Sequence, residues 1–440
     1  VDSVVYYILS YMDEDDPQKY SDENLEEILK KLKASYPDEH LEKKDLRGIF
    51  DELSSLEEDG TLFSPDDYRE GVIDFKNRKT VVKALCLHIA HACNLKCRYC
   101  FAGEGEYHGE KALMSLETGK KALDFLVRSS GSRHNLEVDF FGGEPLLNFD
   151  VVKGVVAYGR ELEKKHDKHF RFTLTTNGVL IDDEVIDFVN REMDNVVLSI
   201  DGRPEVHDRM RPFAGGGGSY DKIIDKLKKV ADSRNQERYY VRGTFTHYNT
   251  DFVNDVLHLA DEGFKQISVE PVVAGEKEPY AITKEDVNKI CDGYDELAKE
   301  LIERKKDGRG FTFFHYMIDL SGGPCVYKRL SGCGSGTEYL SVTPAGDLYP
   351  CHQFVGEDKF LMGNVDDGIK NTALRDEFKL CNVYAKEECK DCFARYFCSG
   401  GCAANAYHST GSILKPYETG CILQRKRVEC AIMLWCVENS

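Results

Sequence analysis

At 440 residues, with 41% hydrophobic and 31% charged residues, the chain is long enough for two or three domains that each bury a core. No run approaches the roughly 18 consecutive apolar residues of a membrane span, and a net charge of −19 opposes a phosphate-tracking surface, so neither a membrane nor nucleic acid is an expected partner. Sixteen cysteines without an export signal point to metal ligands or reactive thiols in a reducing cytoplasm, not to a disulfide framework.

Residues 1 to 78 read as a helical, acidic unit, and residues ahead of Val1 are expected to belong to it. Val5, Ile8, Leu9 and Met12 share one helical face, Leu25, Ile28, Leu29 and Leu32 a second, and Leu46, Ile49, Phe50 and Leu53 a third, before Asp59-Gly60 supplies a turn. Three short helices and a turn resemble a winged-helix unit whose opening strands would precede Val1. A plain helical appendage fits the same residues.

From residue 79 to 310 the texture changes to strand candidates followed by amphipathic helices. The candidates are 81–90, 136–143, 170–178, 195–202, 239–246 and 265–273. Six such units predict an α/β fold, a partial (β/α)6 TIM-type barrel with its chemistry on the loops after the strands. "AGGGGSY" at 214–220 is a tight or flexible loop and no phosphate loop, because no Gly-Lys-Ser/Thr follows it. Residues 311–440 are rich in Gly, Cys and turn residues, with few long periodic segments, and so call for internal staples.

Directly after the first strand candidate, Cys93, Cys97 and Cys100 stand in a C-x3-C-x2-C spacing. Structural zinc and ordinary cubanes take four ligands, so three thiolates leave one iron open to a small molecule. This loop resembles the radical S-adenosylmethionine (SAM) superfamily, as does "FFGGEPLL" at 140–147 after the second strand. The resemblance implies that the open iron takes the amino and carboxylate groups of SAM. Reductive cleavage then gives a 5′-deoxyadenosyl radical that abstracts substrate hydrogen. It assigns Cys93, Cys97 and Cys100 to the catalytic cluster, Gly142 and Gly143 to close backbone approach, and Glu144 to the SAM amine. Tyr99 falls near the adenine and Ser199 and Asp201 near the ribose, while Arg211 and Arg242 compete for the SAM carboxylate. Turn formation at Glu144-Pro145 and strand termination at Asp201-Gly202 are the plain alternatives.

The remaining thiols cluster late. Cys333, Gly346, Cys351, Cys389, Cys392, Cys398, Cys402 and Cys421 are similar to the seven-cysteine pattern of SPASM domains, C-x9-15-G-x4-C, gap, C-x2-C-x5-C-x3-C, gap, C. By that family's interleaving, Cys389, Cys392, Cys398 and Cys421 hold one auxiliary cubane, and Cys402 joins Cys333 and Cys351 on another, for three [4Fe-4S] clusters in all. The fourth ligand of the second is open between Cys325 and a substrate thiolate. Cys86, Cys291, Cys381, Cys430 and Cys436 read as buried core cysteines.

From residue 81 onward the chain is similar to SCIFF-type peptide maturases, which join a cysteine sulfur to a carbon of another residue, as in sactipeptides and ranthipeptides. That resemblance implies a Cys-rich precursor peptide whose leader binds the N-terminal unit, an electron donor such as flavodoxin or ferredoxin, and anaerobic work. Anaerobic sulfatase maturases, which make formylglycine, are the rival. They place an Asp after the cysteine of the G-x4-C element, where this chain has His352, itself a candidate base. A non-catalytic, zinc-stapled peptide-binding protein is the reading from another class.

Overall fold

The computed structural model describes residues 3–37, 41–66, 68–69, 73–103, 105–107, 109, 111–275, 277–320 and 325–439. It forms two compact units, Val1–Asp74 and Phe75–Ser440.

In the first unit, three apolar stripes at helical spacing give α1 (Ser3–Tyr11), α2 (Asp22–Ser35) and α3 (Lys43–Glu58). Ser21 caps α2, its hydroxyl accepting from Asn24 N at 3.2 Å. Ile8, Leu25, Ile28, Leu32, Leu46, Phe50 and Leu53 make the buried core, the expected faces turned inward on one another. Gly60, at φ 77°, makes the expected turn after α3. Among the described residues of this unit there is no strand, and the three helices are the part of the winged-helix resemblance that the structure shows.

Among the described residues the second unit is built on twelve strands. These are β1 (Ala84–His91), β2 (Ala112–Leu113), β3 (Asn135–Gly142), β4 (His169–Thr176), β5 (Asn195–Ser199), β6 (Tyr239–Phe245), β7 (Gln266–Pro271), β8 (Thr312–Phe313), β9 (Tyr339–Val342), β10 (Asp347–Tyr349), β11 (Gly363–Asn364) and β12 (Gly368–Ile369). They form one mixed sheet in the order β12-β11-β10-β9-β1-β3-β4-β5-β6-β7-β8, with β2 beside β1. The run from β9 to β8 is parallel, while β10, β11 and β12 continue antiparallel. Alternation decides the faces. On β3 and β4, Leu136, Val138, Phe140, Phe170, Phe172 and Leu174 are buried in the main core, and Asp139 and Thr173, paired in register, share the opposite face.

The six expected strands are β1, β3, β4, β5, β6 and β7. Two features depart from the expectation. The sheet does not stop at six parallel strands, because β8 extends one edge and β9, from the cysteine-rich segment, pairs parallel with β1 at Ala84↔Tyr339 through Leu87↔Val342. Strands of two and four residues carry too little alternation to be seen in sequence. The cysteine-rich segment also ends in a 22-residue helix, Glu418–Asn439, whose apolar residues lie all round and so form no stripe. Arg427 Nε donates to the Tyr294 hydroxyl at 2.9 Å, and Lys426 pairs with Asp295 at 3.2 Å, fixing this helix to Asp286–Lys306. Among the described residues no helix is long and apolar enough to cross a membrane.

Candidate functional site

β1 is buried along its whole length, and the loop that follows carries Cys93, Cys97 and Cys100, all half-buried. Two neighbouring segments hold this loop. The end of β3 presses on it: Gly143 N donates to Ala90 O at 2.7 Å and Glu144 N to Ala92 O at 2.9 Å. A Cβ at Gly142 would lie 2.4 Å from Ala90 O, and one at Gly143 2.1 Å from Ala92 O, so only glycine permits the approach. On the other side, Lys96 N donates to Pro212 O at 2.8 Å and Arg98 N to Met210 O at 2.9 Å, which carries Arg211 up to the cysteines. Burial pushes the Cys93 thiol up to about 12 and that of Cys97 up to about 11, and the neighbouring thiols add to both.

Glu144 is 1% exposed. Its carboxylate accepts from Leu146 N at 3.1 Å, Thr176 Oγ1 at 2.8 Å and Asn177 N at 2.8 Å. A carboxylate offers about four acceptor sites, so one remains. Burial, opposed by those donors, pushes Glu144 up to about 7. Asn177 Nδ2 then reaches Asn94 Oδ1 at 2.7 Å and Cys93 Sγ at 3.6 Å, leaving Asn94 Nδ2 buried without a partner. Thr176 and Asn177 were not among the expected site residues; the polar run "TTNG" at the end of the third strand candidate was the available signal.

The Tyr99 hydroxyl donates to Asp201 at 2.7 Å and accepts from Arg211 Nη1 at 2.9 Å, while Thr244 N donates to Asp201 at 3.1 Å. Tyr99, Asp201 and Arg211 are therefore one knot beside Cys97, in which Arg211 Nε is buried without a partner. Ser199 ends β5 opposite Arg242 of β6. Of the two arginines considered for a carboxylate, Arg242 is already paired, with Glu270 at 3.0 Å.

Among the described residues no three His, Cys, Asp or Glu side chains stand together as a group set to hold a metal ion. Cys351 is buried and Cys333 and Cys402 are exposed; Cys402 and Cys333 push the Cys351 thiol up beyond what burial does, and Cys333 raises the Cys402 thiol. Burial likewise raises Cys389 and Cys421, with Cys398 and Cys392 adding to each. Backbone N–H groups of Gly401 and Gly400 lower the Cys398 thiol against burial, as those of Asn405 and Ala404 do for Cys402 and that of Gln353 for Cys351. Ser399, Gly400 and Gly401, at φ 57°, 79° and 75°, form a left-handed run in which Ser399 N donates to Arg395 O at 2.8 Å and Gly401 N to Cys398 O at 3.2 Å. Cys325 is exposed at the N-cap of Val326–Ser331. Cys86 and Cys430 are buried as expected, Cys291 and Cys381 only half so; Cys436 is exposed near the end of the last helix, contrary to the core reading.

One contact joins the two ends of the site. The ring of Phe101, next to Cys100, lies 5.4 Å from that of His352, next to Cys351, and Phe141 lies 5.0 Å from the same imidazole. A single layer of side chains thus separates the three-cysteine loop from Cys351.

The family model of the radical SAM superfamily matches residues 87–269, and that of an iron-sulfur cluster-binding domain, SPASM, matches residues 333–393. The chain carries a radical SAM domain followed by a SPASM domain. It is 26% identical over 337 residues to a cysteine-type anaerobic sulfatase-maturating enzyme of Clostridium perfringens, covering 70% of this chain and 85% of that one. Its fold is that of anSMEcpe solved with bound AdoMet, at 22% identity and a TM-score of 0.69 over 81% of this chain and 95% of the other. Streptococcus suis SuiB bound to precursor peptide SuiA shares the fold at 16% identity and a TM-score of 0.54 over 94% and 92%.

The two domains imply SAM and [4Fe-4S] clusters as cofactors. The residues present fit them. The cysteines are free thiols of the type such clusters take, Leu95 N donates to Cys93 Sγ at 3.4 Å, and Asn94 Nδ2 and Arg211 Nε are buried polar atoms without protein partners at the three-cysteine loop.

Inside the radical SAM domain the inward strand faces carry Cys86, Asp139, Thr173, Tyr240, Arg242 and Glu270. A cleft of about 470 Å³ opens at the opposite end from the cysteine loop, lined by Glu137, Asp139, Arg171 and Asn195 among others. Burial pushes Asp139 up to about 7, Glu137 adds to it, and Thr173 opposes it; Cys86, Tyr339 and Tyr240 face the same carboxyl. Because its folded value lies above the ordinary 3.8, Asp139 supports the fold fully below about pH 4 and loses that contribution as pH rises through about 7. Asp139→Asn is therefore expected to raise the anaerobic melting temperature on the order of 2 °C more at pH 8 than at pH 5. An equal gain at both values would contradict the assignment.

Proposed function

We propose that this protein is a radical SAM maturase that installs a cysteine-sulfur-to-carbon thioether in a ribosomally made, Cys-rich precursor peptide. The observation that carries the reading is the Phe101–His352 contact, which brings the residue after Cys100 within one ring contact of the residue after Cys351. A substrate beside that contact would meet a hydrogen-abstracting centre on one side and thiolate-bound iron on the other. The chain's fold is shared with SuiB, which was solved bound to a precursor peptide.

In this reading Cys93, Cys97 and Cys100 hold the cluster that binds SAM; Cys389, Cys392, Cys398 and Cys421 hold one auxiliary cluster; Cys333, Cys351 and Cys402 hold the other. The fourth position of that last cluster belongs to a substrate cysteine or to Cys325. When bound, SAM and its cluster supply the radical that removes a substrate hydrogen. Glu144 spends its remaining acceptor site on the SAM amine, and Arg211 Nε faces its carboxylate. Gly142 and Gly143 keep the loop against β3, and Tyr99 and Asp201 hold Arg211 in place. Ser199 stands ready for the ribose, and Phe101 and Phe141 exclude water from the site. Burial and Arg242 push His352 down to about 4, so its imidazole is neutral. With Nδ1 3.5 Å from the Tyr339 hydroxyl, Nε2 is the nitrogen left to accept the proton that a substrate thiol would give up on binding iron, and the one electron released as the carbon–sulfur bond forms would pass to an auxiliary cluster.

Formylglycine formation is the second reading, favoured by the likeness to the Clostridium perfringens enzyme. His352 counts against it, because the sulfatase maturases resembled here carry Asp at that place. Anaerobic reconstitution tests the shared ground: about twelve irons and a brown colour with broad absorbance near 400 nm are expected. A colourless, zinc-loaded protein would leave only a peptide-binding role.

A further inference from the structure

Lys386 lies between the short 3-10 turns Val383–Ala385 and Glu387–Cys389 and is 2% exposed, among the largest fully buried side chains of the chain. Its Nζ donates to Gly400 O at 2.5 Å. Among the described residues no carboxylate pairs with it, and the adjacent Glu387 is turned to Lys390 at 2.5 Å instead. The Lys386 carbonyl accepts from Cys389 N at 3.0 Å, and Gly400, which takes the ammonium, stands two residues after Cys398.

A lysine buried without a counter-charge gives up its proton or finds negative charge nearby. A cubane on four thiolates carries net negative charge, and the left-handed run Ser399-Gly400-Gly401, which follows Cys398 directly, turns its Gly400 carbonyl to the ammonium.

We propose that Lys386 is the resident counter-charge of the iron-sulfur cluster held by Cys389, Cys392, Cys398 and Cys421, and that it sets the midpoint potential of that cluster. The inference rests on the reading above that those four cysteines hold a cluster. One-electron reduction adds negative charge beside a fixed ammonium, so the residue raises the potential and makes this cluster the readier electron acceptor.

The test is an EPR-monitored redox titration of the reconstituted full chain, with the signal of this cluster identified by its loss in Cys392→Ala. Lys386→Met is expected to keep its iron and shift this signal to lower potential, while Lys386→Arg, which keeps the charge, stays near the unaltered protein. A Met variant that loads no cluster while the Arg variant does supports the same charge requirement. An unshifted potential in a fully loaded Met variant overturns the proposal, and so does failure of both variants to load, because shape and not charge would then be what the site needs. If Cys392→Ala leaves iron content and every EPR signal unaltered, the four-thiol site itself is refuted, a result separate from any shift.

Discussion

Gly143→Ala is expected to empty the SAM-binding cluster and leave the auxiliary ones in place. The added Cβ would sit 2.1 Å from Ala92 O and 2.6 Å from the Ala92 carbonyl carbon, and both are backbone atoms with no rotamer to yield. Either the end of β3 or the strap leading into Cys93 must move, and both bonds that now join them, Gly143 N to Ala90 O and Glu144 N to Ala92 O, are lost with it. A displacement of about 1 Å at a reacting centre costs on the order of 100-fold in rate. The variant should therefore hold about four irons fewer than the unaltered protein and cleave SAM at least about 100-fold more slowly. Gly215→Ala, whose Cβ meets nothing within 4 Å, is the matched control and should behave as the unaltered protein. Equal iron and equal SAM cleavage in Gly143→Ala would show that the glycine pair does not position the loop.

Cys402→Ala is expected to remove the cluster of Cys333 and Cys351 and spare the one beside it. Sequence proximity argues the reverse, since Cys402 follows Cys398 closely and stands far from Cys333. The electrostatics favour the crossing that the SPASM resemblance implies: Cys333 raises the Cys402 thiol, and Cys402 is the first of the neighbouring thiols to act on Cys351. Cys402 itself stands exposed at the N-cap of the helix Ala403–Thr410. Iron should fall by about four, with the EPR signal that depends on Cys392 unchanged. Loss of that signal instead would mean that the two groups do not cross.

Local pattern accounts for what could be read directly. Alternation along "LEVDFFGG" and "FRFTLTTNG" marked strands β3 and β4, and helical spacing around Leu25, Ile28 and Leu32 marked the first unit's core. Spacing alone exposed the three-cysteine loop and the later thiols. What stayed hidden depends on contacts between distant residues. Gly143 was expected to make room for a ligand, yet the backbone it admits is the chain's own, at Ala92. Arg211 and Arg242 were equivalent as sequence, and only the fold gives one to Tyr99 and Asp201 and the other to Glu270. Nothing near Lys386 in sequence announces a fully buried ammonium. The last helix escaped notice for the opposite reason: its apolar residues face every direction, so periodicity is silent although the helix is the longest of the chain.

The central claim is that two neighbouring sites join a peptide sulfur to a peptide carbon. Its most direct test is mass spectrometry of a small cysteine-rich peptide, encoded beside this gene, after anaerobic co-expression with the protein and treatment with an alkylating reagent. The account predicts a loss of two hydrogens per crosslink, every sulfur retained, and cysteines that resist alkylation. An unchanged mass with freely alkylated thiols, or loss of a cysteine sulfur as formylglycine forms, would contradict it.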